Sequence, residues 1–241
     1  MLLHSSLSRL IRANLKNGIR LDVEGILDSF IEVVGGDGTL VLPLFNFGFA
    51  EGKAFDMRTT PSKMGVMTEV ARKRTSAVRT GHPIYSFAAL GRKAGEFADV
   101  ENYSGYGADS PFALLVRLDA KIAVLDLPDQ NSMTMYHHAE EMENVDYRYH
   151  KTFTGPCTTL EGDTTDRSFG LFVRDIERGV LTDVHGMQER LWELGLYEGD
   201  RPREGMGLRT IRARSVYDAT VDVIRSGRAL GMLYRLETSP S

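Results

Sequence analysis

Cysteine and tryptophan are nearly missing from this chain of 241 residues, which has only Cys157 and Trp192. A lone cysteine closes no intramolecular disulfide and builds no multi-cysteine zinc site, so a reducing compartment and a small buried thiol are expected. Also missing is any run of the eighteen or so apolar residues that a membrane span needs. The start, Met1-Leu2-Leu3-His4-Ser5-Ser6, has no basic segment leading into an apolar stretch, so no signal peptide and no membrane partner are expected, and the cytoplasm is the default location. Charge of one sign is scarce too: 29 Lys and Arg face 33 Asp and Glu, a net −4. Without a whole-molecule positive field, a nucleic-acid partner is not expected. No Gly-x-Ser-x-Gly occurs, so the nucleophile elbow of the serine hydrolases has no candidate.

What is present suits a folded α/β chain. Hydrophobic residues make up 42% of the sequence, too many for disorder at this small charge excess. The length suits one sizeable domain or two small ones. Leu2-Leu3 running into His4 looks like the end of a strand. From Leu21 to Gly35, the residues Val23, Ile26, Leu27, Phe30, Val33 and Val34 recur at three and four, which predicts a helix capped by Asp22 and ended by Gly35. Thr39 to Leu44 reads as a buried strand. The intervening glycines, Gly35 to Gly38, follow a helix and precede a strand, the reverse of the phosphate-loop order.

Phe45 to Ser62 reads as a long loop, a class often functional in compact domains. Helices are predicted over about 65–73 and 92–98, a strand over 121–127, and a helix opening near Met133 after an irregular Pro128 to Ser132. Strand, short turn and helix together expose helix N-terminal amides to a ligand. Beyond Val145 the pattern weakens: hairpins are expected between Thr152 and Phe172, helices over 186–194 and 215–226, and a closing strand at 234–236. There is no internal repeat and no convincing linker. One α/β domain over 1–241 is the economical organisation.

The densest titratable cluster is Tyr136-His137-His138-Ala139-Glu140-Glu141-Met142-Glu143. On a helix His137 shares a face with Glu140 and Glu141, while His138 points about 100° away. A histidine with a carboxylate one turn along is the pair a general base needs, since the carboxylate orients the ring and stabilises its protonated form. A surface salt bridge has the same spacing. A zinc site is not expected, because adjacent histidines diverge and ligands such as His82 or His185 would have to be brought from elsewhere.

Three further segments are unusual. His4-Ser5-Ser6-Leu7-Ser8 puts polar side chains just after an apolar strand end. Pro61-Ser62-Lys63-Met64-Gly65 places Ser62 as an N-cap before a short helix that includes Thr68, a place able to hold an anion. Arg79-Thr80-Gly81-His82-Pro83-Ile84-Tyr85-Ser86 joins a permanent cation, an imidazole and a rigid proline. Each is also what an ordinary turn contains.

Taken in order, these segments resemble the aminoglycoside 3-N-acetyltransferase family. The match runs through His4-Ser5-Ser6-Leu7, Val33-Val34-Gly35 to Gly38-Thr39-Leu40-Val41-Leu42-Pro43, Pro61 to Gly65 with Thr68-Glu69, and Arg79-x-x-His82-Pro83-x-x-Ser86. It continues in Gly107-x-x-Ser110-Pro111-Phe112 and Thr134-x-x-His137-x-Ala139-Glu140, and is thin after Glu140. Relatives carry some twenty more residues before the His-Ser-Ser strand, and Thr80 stands where they commonly have serine.

The resemblance implies a mixed sheet flanked by helices, distinct from the GNAT acetyltransferases. It also implies direct transfer of acetyl from acetyl-CoA, as co-substrate, to a small-molecule amine acceptor such as an aminoglycoside or amino-sugar. His137 is then the base, Glu140 orients it, and donors near Thr134 face the thioester oxygen. His4, Ser5, Ser6, Ser62, Met64, Gly65, Thr68, Arg79, His82 and Ser86 match coenzyme-contacting segments, with His82 equally readable as a structural ring. No metal is implied. Glu141 and Asp146 are expected to attract a cationic acceptor, within a divergent, acceptor-shaping region over 145–215. A biosynthetic amine and a non-catalytic CoA-binding protein are the alternatives, and oligomeric state has no signature in the sequence.

Overall fold

A computed structural model describes residues 1–201 and 207–237. In chain order its elements are β1 (Leu2–Ser5), α1 (Ser8–Lys16), α2 (Val23–Val34), β2 (Thr39–Pro43), β3 (Phe55–Asp56), α3 (Val66–Lys73), β4 (Val78–Arg79) and β5 (Phe87–Gly91). Then come α4 (Ala94–Ala98), α5 (Pro111–Arg117), β6 (Lys121–Leu125), α6 (Met135–Met142), β7 (Arg148–Thr158), β8 (Thr164–Arg174) and β9 (Val180–Thr182). The last are α7 (His185–Glu193), β10 (Glu198–Gly199), β11 (Leu208–Arg212), α8 (Ala213–Arg225) and β12 (Tyr234–Leu236).

Seven strands form a mixed sheet in the order β10-β11-β6-β1-β2-β5-β4. β1 lies between β2 and β6 and runs parallel to both, while β5, β4, β11 and β10 pair antiparallel at the flanks. The chain leaves β1 for β2 on one side and later returns to β6 on the other. The C-terminal ends of β1 and β6 therefore mark a topological switch point, where loops diverge and leave a crevice.

Both faces of the sheet are covered, which is why its central strands read as continuous apolar runs. Leu3, Leu40, Leu42 and Ala123 pack with Leu27 of α2 and Met67 and Ala71 of α3. The alternate residues Leu2, Val41, Ile122 and Val124 face the larger core with Phe112 of α5, Tyr136 of α6, Met187 of α7 and Val216 of α8. The period-two alternation of side chains thus divides one strand between two cores. Asp22 caps α2 by accepting from the Gly25 amide at 3.1 Å, and Gly35 ends it with φ of +77°, a conformation that favours glycine.

The hairpins expected over 152–172 are one long hairpin, β7 and β8, paired from Arg148↔Arg174 to Thr158↔Thr164, with β3 against β7. β12 does not close the main sheet; it pairs with β9. Cys157 is buried on β7, and burial raises its thiol pKa. Among the described residues, no helix is long and apolar enough to cross a membrane.

The irregular segment after β6 is held by a buried carboxylate. Asp129 accepts from Tyr136 Oη at 2.5 Å, from Tyr197 Oη at 2.7 and 2.8 Å, and from Arg209 Nη2 at 2.6 Å. Arg209 also donates to the Leu127 carbonyl at 2.7 Å, and Gln188 accepts from the Asp129 amide at 2.9 Å. Arg209 and Asp129 are almost fully buried, so removing one leaves the other as an uncompensated charge. Arg209→Met is expected to destabilise the fold by about 3–5 kcal/mol. Tyr197→Phe, which leaves the ion pair, is expected to cost about 1–3 kcal/mol, with both read from urea-unfolding midpoints.

Candidate active site

α6 begins where the Asp129 segment ends. The Met133 amide donates to the Asp129 carbonyl at 2.8 Å, and the His137 amide donates to the Thr134 carbonyl at 3.0 Å. One turn into the helix, His137 Nδ1 lies 2.6 Å from Glu140 Oε2. Arg148, the first residue of β7, reaches the same pair. Its Nε is 2.8 Å from Glu140 Oε2, an ion pair by proximity whose N–H is not aimed as a hydrogen bond. Its Nη1 donates to the Phe172 carbonyl at 3.0 Å, and its Nη2 lies 2.8 Å from His137 Nδ1.

Nδ1 holds either a hydrogen or a lone pair, so it cannot serve both neighbours. Burial pushes the Glu140 carboxyl up, but the Arg148 guanidinium and the His137 contact outweigh it and hold the pKa below the ordinary value. An ionised carboxylate at 2.6 Å takes the hydrogen. Nδ1–H then donates to Glu140, and Nε2 carries the lone pair. Burial, followed by the Arg148 charge, lowers the His137 pKa against the opposing pull of Glu140, so the ring is neutral at pH 7. The His137 side chain keeps 18% exposure, whereas Glu140 keeps 1%.

His137 stands where two clefts meet. One, about 170 Å³, is lined by Thr134, Ser132, Met64 and Asn131. It continues through Met64 and Asn131 into a groove of about 290 Å³ lined by Ser5, Ser6, Lys63 and Gly65. The second cleft, about 340 Å³, opens toward β7 and β8 and shares His137, Phe47, Tyr85 and Thr182 with the first. Two larger hollows, about 510 and 520 Å³, contain neither His137 nor Glu140. Volume alone is therefore a poor guide here.

The structure divides the predicted coenzyme residues. Ser5, Ser6, Met64 and Gly65 come together along one groove. Ser62 is not an N-cap, since Gly65 occupies that position. Its Oγ accepts from the Met64 amide at 3.1 Å and bonds Thr68 Oγ1 at 2.7 Å, while Thr68 Oγ1 donates to the Gly65 carbonyl at 2.8 Å. These hydroxyls build the turn that shapes the groove. Arg79 is buried, with donors on Ser86 Oγ at 3.2 and 3.3 Å, the Met57 carbonyl at 3.1 Å and the Thr60 carbonyl at 2.7 Å. A guanidinium so engaged is not free to meet a phosphate, and Ser86 is fully buried beneath it.

His82 Nδ1 accepts from the Ile84 and Tyr85 amides at 3.3 and 3.1 Å, and its Nε2 lies 3.3 Å from the Gly170 carbonyl. That is the structural reading of His82. His4 is buried at the end of β1, where burial and then Arg209 push its pKa down to about 4. His138 Nδ1 sits 2.6 Å from the Tyr106 carbonyl, and His185 is exposed beside Asp183 at 3.0 Å. Among the described residues, no group of three or more His, Cys, Asp or Glu is arranged to hold a metal.

Thr134 is brought to His137's cleft, but its amide already donates to the Ser132 carbonyl at 2.9 Å. The donor left to it is the hydroxyl. The two carboxylates expected to meet the acceptor are elsewhere: Glu141 accepts from Ser104 Oγ at 2.7 Å, and Asp146 is exposed beside Arg178. Instead, Arg148, Lys151 and Arg174 line the β7/β8 cleft. No motif singles these three out, because a strand's register, not its spacing, decides which residues face the helix.

A mixed sheet covered by helices on both faces, with a histidine and carboxylate on the helix beyond a parallel strand, defines an α/β class of fold. The chain belongs to the aminoglycoside 3-N-acetyltransferase family, which it matches over residues 2–182. It is 30% identical over 166 residues to aminoglycoside N(3)-acetyltransferase VII of Streptomyces paromomycinus, covering 61% of this chain and 57% of that protein. It is 29% identical over 172 residues to aminoglycoside N(3)-acetyltransferase IX of Micromonospora chalcea, covering 63% and 59%. The matched regions thus span under two thirds of those relatives. The fold is shared with aminoglycoside acetyltransferase AAC(3)-Xa, with a TM-score of 0.75 and 23% identity, over 93% of this chain and 86% of that one. It is also shared with AAC-IIIb solved with CoASH, with a TM-score of 0.74 and 23% identity, over 100% and 91%.

The buried imidazoles make stability depend on pH. The pKa of His82 is likewise pushed down to about 4, chiefly by burial. Above about 6.5 these rings are neutral in both folded and unfolded chains. As pH falls from there toward 4, the unfolded chain takes up protons that the folded one refuses. Stability should therefore fall across that window, by on the order of 3 kcal/mol for each ring, as measured by urea unfolding at stepped pH.

Proposed function

We propose that this chain is an acetyl-CoA-dependent N-acetyltransferase that moves acetyl directly to a primary amine of an aminoglycoside or related amino-sugar. The observation that carries the reading is the 2.6 Å contact of His137 Nδ1 with Glu140 at the junction of two clefts. Such a junction lets two substrates meet at one base. The relatives' names and the CoASH-bound neighbour support the choice of amine and donor.

On this reading the groove of Ser5, Ser6, Met64 and Gly65 takes the pantetheine arm, and Lys63 supplies positive charge for the phosphates. The acceptor enters from the β7/β8 side. It reacts as the free amine, because an ammonium has no lone pair, and its nitrogen must lose one proton as it becomes the amide. His137 Nε2 accepts that proton while the C–N bond forms and the thioester C–S bond breaks, and the thiolate of CoA leaves. The imidazolium is stabilised by Glu140, which Arg148 keeps ionised. Charge on the thioester oxygen needs a donor, and the Thr134 hydroxyl on the same cleft is the candidate. The domain then spans 1–241, with 145–215 shaping the acceptor side. A non-antibiotic amine is the second reading, favoured by the cations in the acceptor cleft.

His137→Ala should leave acetyl-CoA affinity within a few fold by calorimetry and lower turnover roughly 10²-fold or more in a thiol-release assay. Unchanged turnover would remove His137 from its role. Because the ring's pKa is lowered, the acid limb of kcat/KM should fall below about 6.5. Glu140→Gln, which deprives the imidazolium of its counter-charge, should shift that limb to still lower pH and slow turnover about 10–10²-fold.

A further inference from the structure

The β7/β8 cleft beside His137 has the wrong sign for a polycation. Among the described residues, its lining includes Arg148, Lys151 and Arg174 and no aspartate or glutamate. Arg148 is neutralised by Glu140. Lys151 and Arg174 are exposed, and among the described residues neither forms an ion pair. Lys151 only rests its Nζ 5.4 Å from the Phe153 ring centre.

Their positions make the excess costly. Arg174 lies directly opposite Arg148 in the antiparallel ladder, and like charges placed opposite one another destabilise a hairpin. The Arg174 charge also reaches His137, where it helps to lower the ring's pKa. Beyond the neutralised Arg148, two uncompensated cations therefore flank one approach to the proposed base, and Glu141 and Asp146 do not pair with them. Glu141 is tied to Ser104, and Asp146 is exposed beside Arg178. Around this charge the cleft is lined by aromatic rings, including Phe47, Tyr85 and Tyr106. Aromatic walls with unpaired cations suit a ring-shaped molecule that also carries an anion.

We infer that Lys151 and Arg174 select an acceptor amine that carries a carboxylate or phosphoryl group, and disfavour the polycationic aminoglycosides. The inference rests on the acetyl-transfer reading above and narrows its acceptor. The anion pairs with Lys151 and Arg174 while the amine, some atoms away, faces His137. The bonds made and broken are those already described.

The test uses the whole chain with CoA bound, titrated by calorimetry with glucosamine, glucosamine 6-phosphate and sisomicin. The first two differ only by the phosphate. Glucosamine 6-phosphate is expected to bind at least tenfold tighter than glucosamine, and Lys151→Glu with Arg174→Glu should abolish the difference and tighten sisomicin about tenfold or more. Lys151→Gln with Arg174→Gln, a milder change at two exposed sites, should give intermediate values. Equal affinity for the two sugars, undetectable binding of all three, or a preference for sisomicin untouched by charge reversal would each overturn the inference. So would a rise of more than about threefold in the acetyl-CoA Kd of the double variant, since the cations would then serve the coenzyme. Thiol release separates the two claims. Anion-dependent binding without release leaves charge selection standing and removes the transfer reaction; release from sisomicin that ignores both cations does the reverse.

Discussion

The contact on which this molecule turns is the buried pairing of Glu140 with Arg148. A carboxylate with 1% exposure cannot stay ionised without a counter-charge, and Arg148 supplies it from another element. The pair joins α6, which follows a parallel strand of the main sheet, to β7, which opens the separate hairpin. It also sets the tautomer of His137. With the carboxylate kept ionised, Nδ1 carries the hydrogen and Nε2 keeps its lone pair. One ion pair thus connects fold assembly with the protonation state of the proposed base.

A second buried charge works on the same helix from the opposite end. Asp129 holds the irregular turn between β6 and α6 through Tyr136, Tyr197 and Arg209. Tyr136 belongs to α6 itself and Arg209 to β11, so the turn is fixed from the helix and from the sheet. His137, the proposed base, is therefore presented by a segment anchored to both helix and sheet. Preorganisation of this kind is what a proton-accepting group needs, because a misplaced ring would have to be reoriented during the reaction.

The β7/β8 side, proposed for the acceptor, is organised differently. The groove of Ser5, Ser6, Met64 and Gly65, proposed for the coenzyme, comes from loops after the parallel strands, where a doubly covered sheet opens at its switch point. The cleft proposed for the acceptor adds a hairpin that is largely exposed and bears Lys151 and Arg174, cations without an ion pair among the described residues. A hairpin fixed at one end by Arg148 and free in much of its surface can change its charges without disturbing the central sheet. In the proposed reading, chemistry and specificity are thereby separated.

Local sequence determined much of this protein. The three-and-four spacing of α2, its Asp22 cap and Gly35 stop, the apolar runs of β2 and β6, and the His137–Glu140 spacing all follow from short-range geometry. The ordered motifs also identified the family. Tertiary structure decided the rest. Arg79, His82, Ser86 and Thr68 have the residue types of a ligand site, yet buried polar groups must find partners, and the partners they found were turns of their own chain. Glu141 and Asp146 are near His137 in sequence but turned to Ser104 and Arg178. Arg148, Lys151 and Arg174 reached the site only through the register of β7 on β8, an arrangement set by long-range pairing. Spacing along a helix is a local property, whereas which strand residue faces a distant helix depends on how the whole chain packs.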